Sequence, residues 1–258
     1  MNRPWILLLF VGFAFGATPK NFVLDDPMDH PFIWWPQTLL GYHVEFDEPP
    51  DLNHMVLTRS SDGQSVPLQF SSVVRQGSTI RSATLHFLSD LPSGGHREFV
   101  LGPGKPPAFH GVTEAVVGKF IVLDSGALKV RIPNSQAISG TAPGPVQQMS
   151  RDGQWFGSST LALKGERIIR IEAKRQDAGP LFISYRLVYT TQRGGQYIAT
   201  VRCIQGMDFV QLREDMEGLP ENVEGLWTMD WRGLPLDFRQ AANHPYPFPS
   251  FVELGLST

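Results

Sequence analysis

The chain has very little cysteine. Cys203 is the only one among 258 residues, so no intrachain disulfide can form. The fold must be held by core burial instead, which a chain of this length can supply. There is also no excess of basic charge. The net charge of −3 leaves no electrostatic footprint for a polyanion, which excludes a nucleic-acid-binding role. No Asn-x-Ser/Thr sequon occurs, which favours a bacterial exported protein over a eukaryotic one. Gly-x-Ser-x-Gly, His-Glu-x-x-His, a phosphate-binding glycine loop and Cys-x-x-Cys are all missing, so no familiar catalytic motif is present. Nor does any window of a dozen residues hold a capped apolar stripe at helical spacing.

The N-terminus does carry a pattern. Arg3 precedes the uncharged run Trp5 to Phe15, and Ala14 and Gly16 place small residues at −3 and −1 of a cleavage after Gly16. That run is about half of the roughly 20 residues that span a bilayer, so residues 1–16 read as a secretory signal peptide. No other segment is long and apolar enough to span, and no membrane association is expected after cleavage. The expected location is secreted or periplasmic.

Period-2 alternation recurs along the rest of the chain. Ala83, Leu85 and Phe87 share one face while Thr84 and His86 take the other. Leu128, Val130 and Ile132 point inward, with Lys129 and Arg131 outward. Leu181 to Thr191 and Gln196 to Gln205 read as a hairpin across Gly194 and Gly195, since adjacent glycines can adopt the positive φ that such turns need. On its second arm Cys203 shares a face with Tyr197, Ala199 and Val201, and so reads as a buried structural thiol. "ERIIRIEAKR" and "MDFVQLREDMEG" read as further strands. The 25 glycines and 21 prolines fall between apolar runs, as turns between short strands do. The fold class is all-β, with strands spaced as in sandwiches. The Gly/Pro-rich stretch Leu101 to Gly111 marks a boundary. Residues 17–105 are read as an N-terminal β-sandwich and 106–258 as a second one. The apolar, strand-like ending reads either as the front part of a longer protein or as an end within a domain.

Candidate site residues are aromatic or acidic. Trp34, Trp35, Trp155, Trp227 and Trp231 are the candidate carbohydrate-binding residues, because indoles stack on the apolar C–H faces of sugar rings. The competing role is core closure. Trp227 and Trp231, four apart, would face one side of a strand with Met229 between them, whereas the adjacent Trp34 and Trp35 would point oppositely. Pro36 makes Phe32 to Gln37 an extended entry segment. Among acids, Asp25, Asp26 and Asp29 could suit calcium but read first as turn residues. Glu214, Asp215, Glu217, Glu221 and Glu224 read as an acidic solvated stretch, with glycoside hydrolysis as the alternative. His30, His43, His54, His86, His96, His110 and His244 are scattered singly, so no metal site and no cofactor is expected.

Taken together, "WWPQTLLGYHVEF", "ATLHFLSDLPSGGHREFVL", "LDSGALKVRIP", "GQWFGSSTL" and the stretch from Gly179 to Gly218 resemble the N-terminal β-rich region of exported bacterial exo-rhamnogalacturonan lyase-like proteins. The resemblance is one of strand and turn style. It implies an N-terminal β-sandwich followed by the start of a larger, galactose-mutarotase-like one. It also implies catalytic residues further along a longer chain, commonly in a helical barrel that this sequence lacks, so no catalytic residue is assigned. Three readings stand. The first is a non-catalytic, carbohydrate-associated region of a polysaccharide-processing protein, with a poly- or oligosaccharide and a downstream catalytic domain as partners. The second is a polysaccharide lyase or glycoside hydrolase in its own right, using acids such as Glu214, Asp215 or Asp230. The third is a secreted structural or protein-interaction module.

Overall fold

A computed structural model describes residues 19–26, 35–221, 223–230, 236–238 and 254–256. The leader, Asp29, His30, Trp34, Trp231 and His244 lie outside the described residues. The chain divides into two units, Met1–His110 and Gly111–Thr258. Among the described residues the one helical element is a 3-10 turn at Leu52–His54; everything else regular is strand.

The first unit contains β1 (Lys20–Asp25), β2 (Trp35–Glu45), β3 (Met55–Arg59), β4 (Ser65–Val66), β5 (Leu68–Gln76), β6 (Thr79–Leu91) and β7 (His96–Pro103). They form a four-stranded sheet, β1-β7-β3-β4, and a three-stranded sheet, β2-β6-β5, all antiparallel. Alternation dictates what the two sheets enclose. Leu57 and Leu101 from the first and Ala83, Leu85 and Phe87 from the second are fully buried in one core. Phe87 lies 4.8 Å from the Phe99 ring and is stacked on Tyr42 at 5.8 Å. Each such side chain removed from water contributes roughly 1.5–3 kcal/mol. One expectation needs correction here. His86, read as outward, is buried: its Nε2 sits 2.8 Å from Ser71 Oγ. Its ring lies over Gly41, where a side chain would come 3.1 Å from the imidazole. β7 ends at Pro103 inside the Gly/Pro-rich stretch, and the division between the units falls at the end of that stretch.

The second unit begins with β8 (Thr113–Val117), β9 (Phe120–Asp124), β10 (Lys129–Pro133), β11 (Gln136–Ala137), β12 (Ala142–Pro143), β13 (Gln148–Arg151) and β14 (Gln154–Phe156). It continues with β15 (Ser158–Leu163), β16 (Ile168–Ala178), β17 (Phe182–Thr191), β18 (Gln196–Ile204), β19 (Val210–Glu217) and β20 (Gly225–Asp230). The sheets are β14-β13-β10-β9-β8, β11-β16-β17-β18-β19 and β12-β15-β20. Short β21 (Leu236–Phe238) and β22 (Leu254–Leu256) pair with each other. Leu123, Val130 and Ile132 from the first sheet, Ile171, Leu187, Ala199 and Cys203 from the second and Leu161 from the third share one core. The unit is of sandwich type, as the alternation requires.

The hairpin β17–β18 pairs in continuous register from Phe182 with Ile204 to Thr190 with Gln196. Tyr185, Leu187, Val201 and Cys203 are buried, as expected. The two glycines of its turn serve different needs. Gly194 takes φ +91°, which a left-handed turn position demands. Gly195 instead lets Leu219 approach, since a Cβ there would lie 2.5 Å from Leu219 Cδ2.

Candidate polar groove on the second unit

In the β16–β19 sheet, residues alternate between the core and the opposite face. Leu187, Ala199 and Val201 take the core side. The opposite side carries Arg186, Thr200 and Arg213 in one cross-strand row, with Arg202 beside Gln211 in the next. These residues, together with Gln176, Ile198, Asp215 and Glu217, line a groove of about 730 Å³. Small-molecule sites commonly fall between about 300 and 1,000 Å³, so the groove has room for a ligand of a few sugar rings' breadth.

The charges in the groove are arranged unevenly. Arg213 holds Asp215 with two contacts, Nε to Oδ2 at 3.2 Å and Nη2 to Oδ1 at 3.3 Å. Arg186 Nη2 lies 3.9 Å from Glu217 Oε1. Arg202 has no such carboxylate among the ion pairs of the described residues. Its guanidinium instead lies 4.6 Å above the Phe182 ring, a cation–π arrangement that fixes a flat donor array without neutralising it. Its Nε is buried and has no hydrogen-bond partner among the described residues. Three guanidiniums line the groove with two carboxylates, and Arg202 is the one of the three without a carboxylate within ion-pair distance among the described residues.

The structure scatters the tryptophans proposed as sugar platforms. Trp35 opens β2 opposite Leu91 with about half of its surface exposed (52%). It lies on an extended segment, as Pro36 requires. Trp155 has one ring face covered by the Arg131 guanidinium at 3.8 Å, which Gln148 Oε1 holds by accepting from Nη1 at 2.6 Å. Trp227 takes the core-closing role. It pairs with core residue Leu161 and packs into the core, as does Met229, in a slot left by Gly144, where a Cβ would lie 2.5 Å from the indole Nε1. Its face is set by register with the inward-facing Leu161 of β15.

The acids separate too. Glu214, Asp215 and Glu217 lie on strand β19 and not in a solvated loop. Adjacent on the strand, Glu214 and Asp215 project to opposite faces: Glu214 accepts from the Tyr197 hydroxyl, while Asp215 lies in the groove. Glu224 pairs with Lys164 at 3.2 Å. Asp25 faces His96 at 3.6 Å and Asp26 accepts from the Gly94 backbone at 3.0 Å, so the two do not converge on a cation. Among the described residues no cluster of three His, Cys, Asp or Glu is placed to hold a metal ion.

Sequence reasoning missed Arg186, Arg202, Gln176 and Gln211. The available signal was polarity at alternate positions of otherwise buried strands, such as Arg186 within "ISYRLVY" and Arg202 within "IATVRCI". Long polar side chains facing one side of three successive strands mark a wet face, and their clustering becomes visible only once the register is known. No protein-family model matches the chain, and no curated protein sequence matches it.

Proposed function

We propose that this chain is the non-catalytic, carbohydrate-associated β-sandwich region of an exported polysaccharide-processing protein, and that the groove over β16–β19 holds an acidic saccharide. One observation carries the reading: the groove gathers three guanidiniums and two side-chain amides on one sheet face. Sugar hydroxyls both donate and accept, which suits amides. A uronate carboxylate suits a planar guanidinium, which binds it through two parallel bonds. Arg202, stacked on Phe182 and not paired with a carboxylate, is the residue placed to receive it. Asp215 and Glu217 are each engaged by an arginine, which favours binding over acid–base work.

The leader-like segment and the resemblance to exported lyase-like proteins support the wider setting. Protein recovered from outside the cytoplasm should begin at Ala17 or within a few residues of it. Recovery of a cytoplasmic protein that retains Arg3 would remove the export reading.

Titration calorimetry with trigalacturonate, a glucuronate trisaccharide and a neutral galactose trisaccharide tests the groove. We expect acidic ligands to bind and the neutral one to bind at least about tenfold more weakly, with Arg202→Ala abolishing that preference. Equal affinity for all three, or none for any, would remove the reading.

A further inference from the structure

The β16 strand is interrupted where it borders the groove. Arg175 pairs with Tyr185 and Asp177 pairs with Ser184, so Gln176 is an extra residue with no partner across the ladder. Tyr185 and Ser184 are neighbours and face opposite sides. Arg175 and Asp177, two apart, would face the same side of a regular strand. The bulge resolves this mismatch. Arg175 stays with Tyr185, both bonded to Glu114, while Asp177 turns to the groove side and accepts from Ser184 Oγ at 2.6 Å. Gln176, the extra residue, lies in the groove lining beside Asp177. Ser184 is fully buried, so its hydroxyl is held in place by packing as well as by the bond. Bulges recur beside binding sites because they re-aim a side chain without disturbing the rest of the sheet.

We infer that this bulge is a specificity device: the Gln176 amide reads a ring hydroxyl of the saccharide beside the anion held by Arg202, and the Ser184–Asp177 bond is the positioning contact that keeps Gln176 aimed. The inference rests on the groove reading above. An amide can donate and accept at once, so it discriminates between hydroxyl configurations that a point charge would treat alike. In this arrangement the arginine supplies attraction and the glutamine supplies selection.

The geometry offers an unusually clean variant. Deleting Gln176 makes Arg175 and Asp177 neighbours opposite the neighbours Tyr185 and Ser184, which restores a continuous ladder with every other contact kept. The test is calorimetry with trigalacturonate and, in parallel, the glucuronate trisaccharide, with thermal melts as the folding control. The deletion and Gln176→Ala should each melt within a few degrees of the parent and bind about tenfold more weakly, the loss of one good hydrogen bond. Ser184→Ala should weaken binding in the parent yet add nothing in the Gln176→Ala background, because it acts only through Gln176. A purely structural serine would give the same loss in both backgrounds. Asp177→Asn, which keeps the shape of the pair, serves in the same cycle should Ser184→Ala fail to fold. If the parent binds neither ligand, the groove reading falls and this inference with it. If the parent binds and the deletion and Gln176→Ala bind equally well, the bulge inference alone is overturned.

Discussion

The Tyr185 hydroxyl donates to the Glu114 carboxylate at 2.8 Å, and Arg175 closes on the other oxygen of the same group. One acid on β8, the edge of one five-stranded sheet, is thus tied to β16 and β17 of the other. Burial, and then the bond to Glu114, pushes the Tyr185 phenol from 10.0 up to about 12. The neutral phenol is therefore the native form. Its contribution to stability is complete below pH 10 and is lost as pH rises from 10 towards about 12, where the unfolded chain gives up the proton first. Tyr185→Phe should lose about 1 kcal/mol near neutral pH, from the bond to Glu114. It should also fall less steeply than the parent in denaturant midpoints taken across the alkaline range. Parallel curves would contradict the assignment.

Leu187 occupies the middle of β17 and is fully buried against Ala173 and Ala199. Leu187→Ala removes buried methyl groups and leaves a cavity, which together cost about 2–5 kcal/mol. Chemical denaturation followed by fluorescence measures this directly. A loss below about 0.5 kcal/mol, the range of ordinary surface changes, would mean that the hairpin does not form the core.

The same core encloses Cys203, whose thiol is pushed from 9.0 up to about 12, chiefly by burial and then by Asp124. At pH 8 the native protein should leave an aromatic disulfide reagent unreacted, and one thiol per chain should appear on unfolding. Rapid native labelling would show that β18 opens readily.

Some of this architecture is visible in the sequence and some is not. The inward face of β10 can be read from alternation with Lys129 and Arg131, and the hairpin from its paired β-rich arms around Gly194 and Gly195. His86 and Trp227 cannot. Each is polar or amphipathic, and each packs inward because a glycine far off in the chain, Gly41 on β2 or Gly144 just after β12, leaves room for it. Such complementarity joins positions far apart in the chain and carries no local period. The groove is hidden for a related reason. Its arginines and glutamines come from β16, β17, β18 and β19, and the bulge at Gln176 shifts the parity that alternation relies on. The acids of β19 group together by closeness in sequence, although strand geometry sends Glu214 and Asp215 apart.

Trp35 and Trp227 should respond oppositely to truncation. Trp227 fills a core slot, so Trp227→Ala should cost about 3–5 kcal/mol. Trp35, half exposed at the start of β2, should tolerate alanine within about 0.5 kcal/mol. Equal losses in the two melts would place Trp35 in a packed environment.

Strand pairing in the first unit sets when each sheet can close during synthesis. β1 leaves the ribosome first, yet its sheet partner β7 is the last strand of the unit, and β3 also pairs with β7. The β2-β6-β5 sheet can close beforehand, but the facing sheet must wait for a single late segment that joins two early ones. Until His96–Pro103 emerges, β1 and most of β3 present unpaired backbone groups, which is when such a chain is most exposed to mispairing with a neighbour. A nascent chain halted before β7 should therefore be a much better client for a chaperone than one halted a few residues after it.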